Sequence, residues 1–346
     1  MSESKGMAKV VPGVDDTNDV ERAATGALSL RERLITSPQA LLLLTIIVFS
    51  IFVASQAPNY MTMANWTIIV RNAVFIFIVG AFSTYVLVHG GLDLSVGSVF
   101  MAGAMAVAQF LVWEYPVWLA ILLATGVGVL TGLVNGLLIN FGRIPAFITT
   151  LGMLYVVRGL TTFATQGRPL APIPDEFNVL GQGDILGAPL LIVYAVVIGI
   201  VAHVVLEATP FGWSIRAIGG NREAARAAGI NVRRLSTVVY ILSGASAAFA
   251  GVLMSARLGS GQPSVGNGLE LQVISAVIIG GTSLFGGIGS VAGTALGALV
   301  LSILSDGLIL LRIDPILQNV MVGIIIVVAV GIDQFRRGRM FRTLRR

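Results

Sequence analysis

Apolar residues fall in long runs along this chain, without the recurring polar face of a soluble helix. The runs lie at Gln39–Ser55 and then at roughly 69–88, 97–113, 117–140, 146–165, 189–207, 236–257, 270–282, 288–311 and 315–332. A membrane crossing takes ~20 apolar residues over ~30 Å of hydrocarbon. Backbone polar groups in lipid must be paired within their own segment, so these runs predict helices. The expectation is an all-α, polytopic membrane protein of about ten transmembrane helices in hairpins, with both termini cytoplasmic. The run 270–282 is short and predicts a tilted, broken or re-entrant segment. Residues 1–37 read as a mobile cytoplasmic tail, 38–335 as the transmembrane domain and 336–346 as a basic cytoplasmic tail. A cleaved signal peptide places its apolar stretch nearer the start, so the first run reads as a retained anchor.

Composition sharpens this picture. Of 346 residues, 55% are apolar and 11% charged, and the mean hydropathy is +0.90. Soluble domains carry about a quarter charged residues. The isoelectric point near 10 does not signal nucleic acid, because the basic residues cluster at run ends and in a few loops. There is no cysteine, which removes disulfides, thiolate metal sites and cysteine nucleophiles. Two distant histidines, His89 and His203, make no HExxH helix, and the two lysines, Lys5 and Lys9, leave no P-loop lysine after a glycine run. No metal, cofactor or catalytic residue is expected. If transport consumes ATP, another polypeptide binds it.

Orientation follows from arginine and lysine in short loops. Five lie in the N-terminal tail, five in the loop 208–234, six in the C-terminal tail, and Arg143 stands between the fourth and fifth runs; together they are 17 of the 22 basic residues. A ten-span path puts all of them on one side, the cytoplasm. The loop 166–188, with Asp175, Glu176 and Asp184, is then external. Arg71, Arg158 and Arg257 fall near the outer ends of their spans and can snorkel.

Two ladders of small residues read G-x-x-x-G-x-x-x-G: Gly128, Gly132 and Gly136, then Gly289, Gly293 and Gly297. One-turn spacing lets helix backbones approach closely, within one chain or across a subunit interface. Two Gly-Gly breaks, His89–Ser98 and Gly280–Ser290, interrupt the apolar runs in the two halves. Such interruptions point to a transport pathway, with Asp93, Ser95, Asn135, Gly280, Gly281 and Thr282 as candidate path residues. Asp93 admits three readings: a cap, made by it or by Ser95, for the helix starting near Val96, a direct transport role, or contact with an ATPase.

The loop 208–234 predicts a short helix over 222–228, capped by Asn221, with Glu223 in its first turn and Gly229 as its stop. An ordinary loop helix satisfies the same residues. Glu223-Ala224-Ala225 followed by Gly229, however, resembles the EAA---G loop of importer permeases of the ATP-binding-cassette class. The run Phe-Gly-x-x-x-Arg-Ala-x-Gly-x-Asn around it, Gly90–Ser98, Gly142–Gly159 and Gly280–Ser290 resemble the ribose/xylose/autoinducer-2-type sugar permeases over about residues 39–335. That resemblance implies a bacterial inner-membrane permease for a monosaccharide or polyol. It implies a cytoplasmic ATPase docked on Arg222, Glu223, Ala224, Ala225 and Gly229, a periplasmic sugar-binding protein, and a second permease copy or sister permease. The long N-terminal tail matches no family motif.

Three other functions remain to be weighed. A branched-chain amino-acid permease of the same class is expected to lack the Gly-Gly-x-Asp-Leu-Ser run, so Asp93 discriminates. An ion-coupled carrier needs an intramembrane acid relay, and only Asp93, Glu270 and Asp306 are placed for one. An intramembrane enzyme would have to use serine or aspartate, with no paired motif for either.

Overall fold

A computed structural model describes residues 38–185 and 187–314, with Leu317, Val320, Gly323 and Ile324. The tails at 1–37 and 336–346, and the run 315–332 apart from those four positions, lie outside the described residues. The helices are α1 (Pro38–Gln56), α2 (Met63–Val88), α3 (Val96–Val112), α4 (Val117–Asn140), α5 (Ala146–Thr165), α6 (Asp175–Gln182), α7 (Leu190–Ala208), α8 (Pro210–Gly220), α9 (Arg222–Ala227), α10 (Val232–Leu258), α11 (Leu269–Ile279) and α12 (Val291–Leu310).

Among the described residues six helices, α2, α4, α5, α7, α10 and α12, are long and apolar enough to cross a membrane. This is fewer than the about ten expected. Helix α3 has 17 residues and α11 only 11, because the glycine breaks shorten the apolar runs on their flanks. The expected run 270–282 ends as helix at Ile279, and 280–290 is irregular backbone. Two helices went unforeseen: α6 in the 166–188 loop and α8 ahead of α9. The described residues are mostly helical, as expected, with one two-residue ladder besides: β1 (Asp184–Ile185) pairs antiparallel with β2 (Ala188–Pro189). Gly187, at φ +81°, makes that tight turn possible.

Local chemistry sets several boundaries. Helix α2 starts at Met63, not near 69, because the Thr62 hydroxyl accepts from the Asn65 N–H at 3.3 Å. Helix α10 starts at Val232, where Asn231 accepts from the Arg234 N–H at 3.2 Å. Gly259 in the left-handed conformation ends it.

Helices α2, α10 and α12 are mostly buried, whereas α4, α5 and α7 bury between 17% and 28% of their most apolar stretch. The glycine ladders explain the closest contacts. A methyl on Gly128 would overlap the Gly244 carbonyl of α10, and one on Gly132 would overlap the Tyr240 carbonyl. A methyl on Gly136 would stand 2.8 Å from Thr237 Cα. The second ladder packs likewise: Gly293 meets Gly280, Gly297 meets the Ala276 carbonyl of α11, and a methyl on Gly289 would stand 2.5 Å from Val88 Cγ2. Both ladders are thus used inside the chain.

Arg71, Arg158 and Arg257 are half-buried, and each is tied to a neighbouring polar group. Arg257 Nη1 donates to Asn72 Oδ1 at 2.9 Å, Arg158 to the Gly266 carbonyl at 3.2 Å, and Arg71 pairs with Asp184 at 3.4 Å.

Candidate functional site

The site grows from the end of α2. The N–H of Gly90 reaches the Leu87 carbonyl and that of Gly91 reaches Val86, closing the helix with Gly90 at φ +83°. The chain then runs without helix to Ser95. Asp93 is 3% exposed. Its Oδ1 accepts from the Ser95 N–H at 3.0 Å and the Ser95 hydroxyl at 2.6 Å, and its Oδ2 accepts from the Ser243 hydroxyl of α10 at 2.8 Å. Asn135 Nδ2 of α4 donates to Ser95 Oγ at 2.9 Å. The carboxylate thus joins the break to α10, and Ser95 joins the break to α4.

This corrects the capping expectation. Ser95 occupies the cap position of α3 but its side chain caps nothing. Asp93 holds a turn just ahead of the helix. A buried carboxylate is tolerated here because three donors satisfy it. Beside it, the His89 ring meets Tyr240 edge-on at 6.1 Å, and His89 Nε2 and Asn135 Oδ1 are buried without a hydrogen-bond partner.

The second break lies against the first. The Gly287 N–H donates to the Val88 carbonyl at 2.7 Å. Gly281, Gly286 and Gly287 have φ of +91°, +88° and +78°, which ordinary side chains resist. Thr282 is buried, with its hydroxyl unpartnered, and Gly280 packs on Gly293. Asp93, Ser95 and Asn135 therefore form one hydrogen-bonded set. Gly280, Gly281 and Thr282 form another group, and Val88–Gly287 is the link between the two breaks.

The 208–234 loop meets both breaks. Pro210 at the first position and the Thr209 cap start α8. At its far end, a methyl on Gly219 would overlap the Val88 carbonyl and stand 2.6 Å from the Gly287 nitrogen. A methyl on Gly286 would stand 2.8 Å from the Gly219 carbonyl oxygen and 3.1 Å from Gly90 Cα. Arg216 pairs with Glu207 and donates to the Gly289 carbonyl at 3.1 Å. Arg222 donates to Asn140 Oδ1 at 3.1 Å, at the end of α4. Three glycine pairs, 90–91, 219–220 and 286–287, converge where the loop touches the bundle.

Helix α9 forms as expected. Asn221 Oδ1 accepts from the N–H groups of Glu223 and Ala224, each at 3.0 Å, and Gly229 takes φ +84°. Of its alanines, only Ala225 faces inward. Ala225 is 3% exposed and packs against Ile218, Val232 and Leu235. The free face carries Arg222, Glu223, Ala224, Arg226, Ala227, Ala228 and Gly229. Sequence reasoning missed Ser243, whose partner is 150 positions away, and Gly219, although Gly219-Gly220 is a visible double glycine.

Residues 65–330 match the family model described as "Branched-chain amino acid transport system / permease component". The chain belongs to this family. It is 37% identical over 293 residues to the ribose import permease protein RbsC of Bacillus subtilis, covering 84% of this chain and 91% of that relative. It is 36% identical to RbsC of Escherichia coli, covering 84% and 92%, and 34% identical to the fructose import permease protein FrcC of Rhizobium meliloti, covering 87% and 85%. No solved structure matches the chain. This permease component is a multi-pass protein of the plasma membrane, consistent with the six helices among the described residues that are long and apolar enough to cross one.

Proposed function

We propose that this permease is the membrane subunit of a binding-protein-dependent importer of a monosaccharide or related polyol, driven by ATP hydrolysed on a separate cytoplasmic subunit. The curated relatives named for ribose and fructose import support the cargo class. The family description supports a second reading, branched-chain amino acids. An ion-coupled carrier has less support: Asp93 is held by serines, Asp306 accepts from Asn65 Nδ2 at 2.8 Å, and Glu270 Oε2 is buried without a hydrogen-bond partner, so no hydrogen bond links the three acids among the described residues.

In this reading the path has ten spans, both termini and the 208–234 loop face the cytoplasm, and 166–188 faces a periplasmic sugar-binding protein. Two permease copies, or this chain and a sister, complete the pore. The observation that carries the mechanism is Gly219 wedged between Val88 and Gly287. The ATPase docks on the free face of α9; closing, it displaces the loop. Because the end of α8 lies against both breaks, displacement of the loop moves them together and switches access to the path. The hydrogen-bonded set Asp93–Ser95–Asn135 ties the first break to α4, where a hydroxylated cargo passes.

The test uses the chain purified with its ATPase. Ala224→Arg places a charge on the free face and should lower the ATPase ratio or uncouple hydrolysis from uptake, leaving the fold intact. Ala225→Arg forces a charge into a buried contact and should instead lower thermal stability, by on the order of 1–3 kcal/mol. Uptake of labelled ribose and fructose against leucine separates the two cargo readings. Normal assembly and coupled uptake in Ala224→Arg would overturn the docking face, and uptake of leucine alone would overturn the sugar class.

A further inference from the structure

A groove of about 690 Å³ opens between the end of α4, helix α9 and the start of α10. Arg143, Arg222, Arg226 and Arg233 line it, with Asn140 and Asn231, and no acidic side chain does. All four arginines are exposed, and none pairs with an acid among the described residues. Arg222 is fixed by Asn140, and Arg233 stacks over the Phe141 ring at 5.6 Å.

The level of the groove follows from the spans. Asn140 is the last residue of α4 and Val232 the first of α10. Both helices are apolar enough to cross the bilayer, so the groove lies where hydrocarbon gives way to headgroups. Beside it, Leu137, Phe141 and Ile144 expose 43%, 58% and 37% of their surface. Guanidinium groups match the geometry of phosphate oxygens and attract anionic lipid at a membrane surface. Exposed apolar side chains next to them suit acyl chains. An acidic protein segment would use the arginines but not the apolar flank.

We propose that Arg143 and Arg233, the two groove arginines outside the docking face of α9, bind the phosphodiester headgroup of an anionic phospholipid, whose acyl chains lie along the Leu137–Ile144 flank. The inference needs only the membrane location of the chain; it does not depend on the cargo.

The experiment reconstitutes the full chain with its ATPase in nanodiscs of mixed phosphatidylglycerol and phosphatidylcholine. Lipid that survives re-extraction into detergent is quantified by mass spectrometry. The wild type should retain phosphatidylglycerol in preference to phosphatidylcholine. Arg143→Gln with Arg233→Gln should cut that preference by roughly tenfold at low salt, and the paired lysine variant should restore most of it. The ATPase ratio should not change. Gel filtration establishes that the variants are folded. Should the glutamine pair fail to fold, the wild type decides: its preference must fall with salt, as an exposed charge contact does. No preference in the wild type, a preference that the glutamine pair or high salt leaves intact, or a glutamine pair that keeps lipid and loses the ATPase would each overturn the proposal. The last outcome would give the groove to a protein partner.

Discussion

Asp93 is a carboxylate held by two hydroxyls and one N–H, with no cation among its partners. Asparagine can keep this arrangement: its oxygen accepts at Ser95, and its amide donates to Ser243, whose hydroxyl can turn to accept. Alanine orphans the Ser95 N–H and empties the turn. Asp93→Asn should therefore transport near the wild-type rate, and Asp93→Ala should lose stability by on the order of 1–3 kcal/mol. Thermal unfolding in detergent, with uptake in vesicles, reads both. Equal loss in the two variants would mean that the charge itself matters. Asp93 was legible as a buried acid near a Gly-Gly break, because local pattern shows that much. Its partner Ser243 was not, since one serine in an apolar helix carries no mark of what it faces. Ala225 misleads for the same reason: its exposure is set by Ile218 and Val232 from neighbouring helices.

At the scale of elements, the glycine ladders were the clearest message in the sequence, because spacing alone dictates which helix face is bare. The chain also holds a built-in comparison. A methyl on Gly132 would run into the Tyr240 carbonyl, whereas one on Gly126, in the same helix, would meet nothing within 4 Å. Gly132→Ala should reduce the yield of folded protein, with overpacking costs of roughly 1–3 kcal/mol. Gly126→Ala should be neutral or stabilising, since alanine favours helix over glycine. Gel-filtration yield of the two variants checks this, and equal behaviour would show that α4 and α10 can separate at no cost. Helix α8 was harder to foresee. Its Pro210 start is a clear signal, but glycines at 212, 219 and 220 in an eleven-residue segment obscure its period.

The whole molecule is where the sequence said least. Charge asymmetry proposes which loops share a side, yet it cannot say which loop glycines are packed. Gly181 looks like an open loop position, but a methyl there would overlap the Arg257 backbone nitrogen, so it is a poor place for a probe. Glu176 and Ala227 are exposed. In this cysteine-free chain, Glu176→Cys and Ala227→Cys should react with an impermeant maleimide from opposite faces of the membrane. Labelling from one face would break the proposed path. The same distinction separates fold from site: the apolar runs place the spans, whereas the meeting of three glycine pairs arises only when distant segments fold together.

That meeting place contains almost no side chains. A joint padded by leucines can absorb a push by changing rotamers. Backbone resting on backbone has no such slack. The loop end and the two breaks should behave as a single stiff casting, so the Val88–Gly287 separation stays constant through the transport cycle while the helices beyond it swing. Flexibility in this permease then belongs to the spans, and the part that receives the force does not bend.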